Sequence, residues 1–228
     1  MSTVNEQNWR DLKAELEPRQ VTLVAVSKTK PTEDVQALYE LGQRDFGENY
    51  VQELVAKQPQ LPADIRWHFI GHLQGNKVKY IAPFVHLIHA VDSFRLLQEI
   101  NKQATRHSRA IEVLLQMHIA EEETKFGLSE KELVELLDYY EAQRDQLENV
   151  RIRGLMGMAS FSDNEAQVRA EFRRLRTAFL NLKQSYFLGQ DYFDTCSMGM
   201  SGDYRIAMEE GSTLVRIGSM LFGGREQK

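Results

Sequence analysis

At residues 24–31 the chain reads VAVSKTKP, an apolar run that ends in two lysines, Lys28 and Lys30, and is stopped by Pro31. An amine at the mouth of an apolar run loses hydration, which favours its neutral, nucleophilic form, the reactant in Schiff-base formation with a carbonyl. The alternative is that both lysines simply solvate a strand end. Two later segments, SMGMSGD at 197–203 and RIGSM at 216–220, are small-residue junctions of the kind that lead into a helix. Unpaired backbone N–H groups at such a place attract an anion. Ser201 adds a hydroxyl, and Gly218 and Ser219 can bring backbone amides close to a ligand. Arg216, permanently charged, needs an acceptor, either a ligand or a carboxylate such as Glu48 or Asp194. An amine nucleophile, an anion cradle and a guanidinium in one place suit pyridoxal 5′-phosphate (PLP), which brings an aldehyde, a phosphate and a ring nitrogen.

These groups must be gathered by the elements that carry them. Short β-rich runs at 21–27, 44–47, 66–70, 87–91, 111–118, 150–157, 192–197 and 213–218 alternate with amphipathic segments. In the segment 163–186, Val168, Phe172, Leu175, Phe179, Leu182 and Tyr186 recur at helical spacing. Pro31 and Gly42 bracket one helix, Ser129 with Glu132 and Ser162 with Glu165 read as capping boxes, and Gly211 ends the segment after Asp203. Strict alternation implies parallel strands joined by crossover helices, and strands as apolar as VTLVAVS need cover on both faces. Eight such units predict a (β/α)8 TIM barrel, α/β in class, with an extra N-terminal helix at about 4–17. The 228 residues, against the usual ~250 for this fold, leave room for short loops only. A doubly wound open sheet is the alternative. In a barrel, chemistry collects at the C-terminal ends of the strands, and phosphate often binds after strands seven and eight. Thr22, Val24, Val26 and Lys28 share one strand face, as do Leu214, Arg216 and Gly218.

Composition narrows the partners. A net charge of −5 argues against nucleic acid or an anionic membrane. One cysteine, Cys196, and an N-terminus without an apolar signal segment point to a reduced, cytoplasmic setting. Cys196, within the seventh predicted strand, reads as a buried apolar residue and not a nucleophile. His86 and His89 lack further ligands at zinc spacing, so no metal is expected, and the acidic run at 121–123 reads as a solvated loop.

VAVSKTKP, FGENYVQE (46–53), WHFIGHLQGNK (67–77), RGLMGM (153–158), SMGMSGD and GSTLVRIGSMLFG (211–223) together resemble the pyridoxal phosphate homeostasis protein family from about residue 20 to 225. The resemblance implies a single domain over 1–228, similar to the N-terminal domain of alanine racemase, a fold-type III PLP-binding barrel. It implies PLP held by Lys28 as an internal aldimine. By the same resemblance Ser201, Gly218, Ser219 and the backbone near Met200 hold the phosphate, Arg216 faces the pyridine nitrogen, Asn49 lies against the ring, and His68 belongs to the site. Gly75, Met117 and His118 depart from the family pattern, and Lys125 is a secondary cofactor acceptor to be tested. The function implied is vitamin B6 homeostasis by a monomeric carrier that binds PLP and transiently meets apo PLP-dependent enzymes, without turnover. A small PLP-dependent amino-acid racemase, using Lys30, His68 or Tyr204 as a second base, is the alternative. A third reading is a barrel enzyme whose Lys28 attacks an aldose or keto substrate.

Overall fold

The structure, a computed structural model, describes residues 4–121 and 126–224. Eight strands, β1 (Thr22–Val26), β2 (Asp45–Glu48), β3 (Arg66–Phe69), β4 (Leu87–Val91), β5 (Ile111–Gln116), β6 (Val150–Met156), β7 (Thr195–Ser197) and β8 (Leu214–Ile217), close into one barrel in sequence order. Every neighbouring pair is parallel, including β1 with β8, where Val24 lies beside Arg216. Closure settles the choice against an open sheet. Helices α1 (Glu6–Leu16), α2 (Thr32–Glu40), α3 (Val51–Lys57), α4 (Gly75–Ile81), α5 (Phe94–Arg106), α6 (Glu130–Ala142), α7 (Glu165–Ser185), α8 (Tyr204–Glu209) and α9 (Ser219–Phe222) surround it. Among the described residues, no helix is long and apolar enough to cross a membrane.

Two apolar layers follow from the strand alternation. Val24, Leu87, Ala90, Leu114, Met156 and Leu214 pack inside the barrel. Leu23, Ala25, Phe46, Trp67, Phe69, Ile88 and Cys196 belong to the larger layer between strands and helices. Val24 and Leu214 thus fix the inward parity of β1 and β8, the parity that carries Lys28 and Arg216. On β4 the parity slips: Leu87 and Ala90 both face the interior because the β4–β5 register shifts between Ile88 and Val91.

Local signals mostly hold. Gly42, at φ +108°, follows α2, and the Ser129–Glu132 capping box opens α6. Ser162 does not cap α7. Asn164 does, its side chain accepting from the backbone of Gln167, while the Ser162 hydroxyl accepts from Asn164 N–H and makes a turn just before the helix. Strand β7 is shorter than the predicted 192–197. Phe193 N–H closes a turn onto Gln190 and its ring stacks against Phe187 at 4.1 Å, so Tyr192 and Phe193 serve the outer core and not the ladder. Cys196 is fully buried, and burial pushes its thiol up to about 12.

Candidate functional site

The turn that carries Lys28 is built more heavily than an ordinary strand exit. Lys30 N–H donates to Ser27 O at 3.1 Å, and Thr29 sits in the left-handed region at φ +63°. A β-branched residue there is strained and persists only when its surroundings hold it. They do: Thr29 N–H donates to Glu53 Oε1 at 2.6 Å, and the Lys57 amine donates to Ser27 O, Glu48 Oε1 and Glu53 Oε1 at 2.8, 2.7 and 2.6 Å. Ser27 Oγ donates to Glu48 Oε1 at 2.6 Å. Both backbone groups flanking Lys28 are therefore tied to the Glu48–Lys57–Glu53 cluster. Lys57 is only 6% exposed. Burial pushes the Glu48 carboxyl above its usual range even with Lys57 against it.

Across the barrel mouth, the segment after β7 is folded back on itself. Met200 N–H donates to Asp203 Oδ1 at 2.6 Å, and Asp203 and Tyr204 N–H both donate to Met200 O. Gly199 holds φ +98°, and a Cβ there would come within 2.7 Å of the Ala207 methyl, so the turn requires glycine. Gly218, which caps α9, approaches β1 closely enough that a Cβ would meet Val26 O at 3.1 Å, and its N–H donates to Ser201 Oγ at 3.4 Å.

Lys28, Asn49, Met200, Ser201, Arg216, Gly218 and Ser219 line one cleft of about 460 Å³ at the C-terminal end of the barrel. That volume is in the range of small-ligand sites. Val26, Ile70, Met158, Phe161 and Phe222 form its apolar walls. A larger cleft, about 790 Å³, runs between residues 72–76 and 92–102. Its lining mixes Asp92, Arg95, Glu99 and Lys102 with one glycine, Gly75, and has no lysine at a strand end, so volume alone does not identify the site.

Arg216 is 4% exposed, and burial pulls its guanidinium down to about 10, still cationic near neutral pH. It makes no ion pair with Glu48 or Asp194. Its Nη1 donates to Ser197 Oγ at 2.5 Å and its Nη2 to Gly157 O at 3.1 Å, while Glu48 is held by Lys57 and Asp194 by Arg153. Asn49 Oδ1 is buried with no hydrogen-bond partner among the described groups. A buried acceptor of this kind is costly unless a ligand donates to it. That orphan, the amides after β8 and the lysine turn fit a phosphorylated aldehyde with further ring substituents.

His68 does not join them. It lies inside the barrel, Nδ1 against His89 Nε2 at 2.9 Å and Nε2 against Asp45 Oδ1 at 3.0 Å. The resemblance implied a place in the site, but His68 is held by Asp45, which opens β2 at the opposite end of the barrel. Lys30 lines the cleft, with its amine donating to Phe222 O and Gly224 O at 2.7 and 3.2 Å. The Tyr204 hydroxyl donates to Glu15 on α1. Lys125, Glu122 and Glu123 fall outside the described residues. Sequence reasoning missed Lys57, whose only signal was its i,i+4 spacing from Glu53, and the Ser197–His89 pair behind Arg216, which comes from distant strands.

His86, His68 and Asp45 gather with their ligand atoms within 4.8 Å of one another, from three strand regions that no spacing rule connects. Both Asp45 oxygens are already engaged by Arg66. Burial, then the charge of His68, lowers His86 to about 4. The folded state thus binds fewer protons at His86 than the unfolded chain, whose ordinary value is near 6.5. Stability therefore falls as pH drops from about 6.5 toward 4. Urea midpoints measured at pH 7 and pH 5 are expected to differ less in His86→Leu than in the wild type.

The family model for the N-terminal domain of alanine racemase matches residues 5–226. A protein of Aquifex aeolicus named pyridoxal phosphate homeostasis protein is 41% identical over 205 residues, 90% of this chain and 87% of its own. The chain belongs to the pyridoxal phosphate homeostasis protein family. Another member, from Vibrio alginolyticus and of the same name, is 41% identical over 215 residues, 92% of this chain and 88% of its own. Among solved structures, PipY of Synechococcus elongatus with PLP bound superimposes with a TM-score of 0.84 at 36% identity, over 95% of this chain and 99% of that one.

Proposed function

We propose that this chain holds PLP in the cleft at the barrel mouth and acts as a cytosolic, monomeric carrier in vitamin B6 homeostasis, without turnover of its own. The observation that carries this reading is the convergence on one cleft of the Lys28 turn, the orphaned Asn49 oxygen and the glycine–serine segment after β8. Bound there, the cofactor would supply an aldehyde, and Lys28 would present the amine to it. The amides at Gly218 and Ser219, with the Ser201 hydroxyl, would hold its phosphate; Met200 and Arg216 complete the wall, and Asn49 Oδ1 would accept from a donor on the ring. The network of Lys57, Glu48 and Glu53 holds the lysine backbone in register, so little reorganisation accompanies binding.

Racemisation needs a second acid–base group on the opposite face of the substrate. The three groups considered for it are committed elsewhere: Lys30 to the carbonyls of Phe222 and Gly224, Tyr204 to Glu15, His68 to His89 and Asp45. These commitments favour a carrier over a racemase.

The test is the visible spectrum of the purified protein before and after borohydride, mass mapping of the fixed label, and an amino-acid racemisation assay on the same sample. A borohydride-sensitive band, a label on Lys28 and no racemisation are expected. Racemisation at an enzymatic rate that is lost with Lys28 would establish the enzyme, and a protein that cannot take up PLP would reject both.

A further inference from the structure

A line of buried polar side chains runs through the barrel interior, where apolar packing is the norm. At the cleft, Arg216 Nη1 meets Ser197 Oγ at 2.5 Å, and Ser197 Oγ meets His89 Nδ1 at 3.2 Å. His89 Nε2 meets His68 Nδ1 at 2.9 Å, and His68 Nε2 meets Asp45 Oδ1 at 3.0 Å. Arg66 closes the line with Nε and Nη2 on the two Asp45 oxygens at 2.7 and 2.5 Å. Arg216 sits toward the C-terminal end of β8, whereas Asp45 and Arg66 open β2 and β3. The line therefore connects the cleft with the opposite end of the barrel, where the Arg66 side chain is 49% exposed.

Proton positions along it are constrained. Burial works to raise the Asp45 carboxyl, but hydrogen bonds from Arg66 and His68 override it and hold it well below the usual range. Asp45 is thus ionised and the proton between it and His68 is on Nε2. Burial pushes His89 well below its usual range, so it is neutral and carries one N–H. One proton lies between His89 Nε2 and His68 Nδ1 and another between His89 Nδ1 and Ser197 Oγ, and Ser197 Oγ accepts from Arg216. Hydrogen bonds in such a chain polarise one another in the low-dielectric interior.

We infer that Ser197, His89, His68 and Asp45 form a through-barrel relay that positions Arg216 in the cleft and couples it to the Asp45–Arg66 pair at the far end. His89, His68 and Asp45 are positioning residues, since none of them lines the cleft. The charged and titratable groups facing the far end include Arg66, Asp64, His86, Glu112 and, through the relay, Arg216.

The inference rests on the PLP reading for one arm of its test only. In the ligand-free protein, the side-chain 15N resonances of Arg216 are expected to move on Asp45→Leu and on His89→Leu, and to recover in part in His89→Asn, whose amide oxygen can still accept from Ser197. Loaded with PLP, His89→Leu should bind the cofactor about 3- to 10-fold more weakly, the equivalent of one hydrogen bond. Its absorption maximum should shift and the pH dependence of its spectrum should change, while Asp45→Leu gives a smaller shift of the same sign. A role in packing alone would lower the melting temperature without moving Arg216 or the spectrum. If Asp45→Leu does not fold, Asp45→Asn removes the charge and keeps the shape. Unchanged Arg216 resonances in folded His89 and Asp45 variants overturn the relay. Failure of the wild type to take up PLP overturns the reading of the cleft and leaves the Arg216 arm to decide the relay.

Discussion

Replacing Lys28 by alanine should abolish the borohydride-sensitive band and every borohydride-fixed label, while the protein folds as the wild type does. The side chain is partly exposed at the cleft, and its backbone is held by neighbours that the substitution leaves in place: Lys57 on Ser27 O and Glu53 on Thr29 N–H. What disappears is the covalent bond. The proposed phosphate contacts at Ser201, Gly218 and Ser219 are untouched by the substitution, so PLP is still expected to bind reversibly, weaker by roughly tenfold or more, a loss of at least ~1.4 kcal/mol. Absorption spectroscopy with equilibrium dialysis separates the two effects. A variant that keeps its band and its label would transfer the nucleophile's role to Lys30, whose amine also lines the cleft but is spent on the carbonyls of Phe222 and Gly224.

Lys57→Met has the largest expected effect on stability. The ammonium is the counter-charge of a carboxylate that is fully buried, and Glu48 Oε2 already lacks a partner among the described groups. Breaking a buried pair by removing one member leaves an uncompensated charge and costs about 3–5 kcal/mol. For a chain of this size each kcal/mol moves the melting temperature by about 2–4 °C, so calorimetry should find a drop of roughly 6–20 °C. Two controls give the argument its sign. Burial raises the Glu48 carboxyl, so acidification lets it take up a proton and the variant should recover ground relative to wild type as pH falls toward 5. The double replacement Lys57→Met with Glu48→Met removes both charges and should be far less harmful than the single one. Because Lys57 also fixes Ser27 O, the single variant should in addition take up PLP more slowly. A Lys57→Met protein as stable as wild type at pH 7 would remove the cluster from the account of how Lys28 is held.

The chain order of eight strands and their crossover helices was legible in the sequence because each strand and helix carries its own periodicity, and a barrel in sequence order needs nothing beyond that pattern. Lys28, Ser201, Arg216, Gly218 and Ser219 were legible for a related reason. In a barrel, residues at the ends of strands are brought together whatever lies between them, so strand-end position in the sequence is nearly position in space. Asn49 and Met200 came from the family resemblance, and the cleft gathers both.

What only the tertiary structure decided lies in side-chain direction and in partners from distant strands. His68 ends up inside and not at the mouth, because Asp45 and His89, 23 and 21 residues away, offer its two nitrogens acceptors and donors that solvent at the mouth would otherwise supply. Arg216 finds a serine and a carbonyl instead of a carboxylate, and Lys57, an ordinary helix-end lysine by sequence, becomes the buried post of the reactive turn. The physical reason is common to all three. Periodicity says which face of an element is covered, whereas the partner of a buried polar group is fixed by register and closure between strands that the sequence leaves far apart.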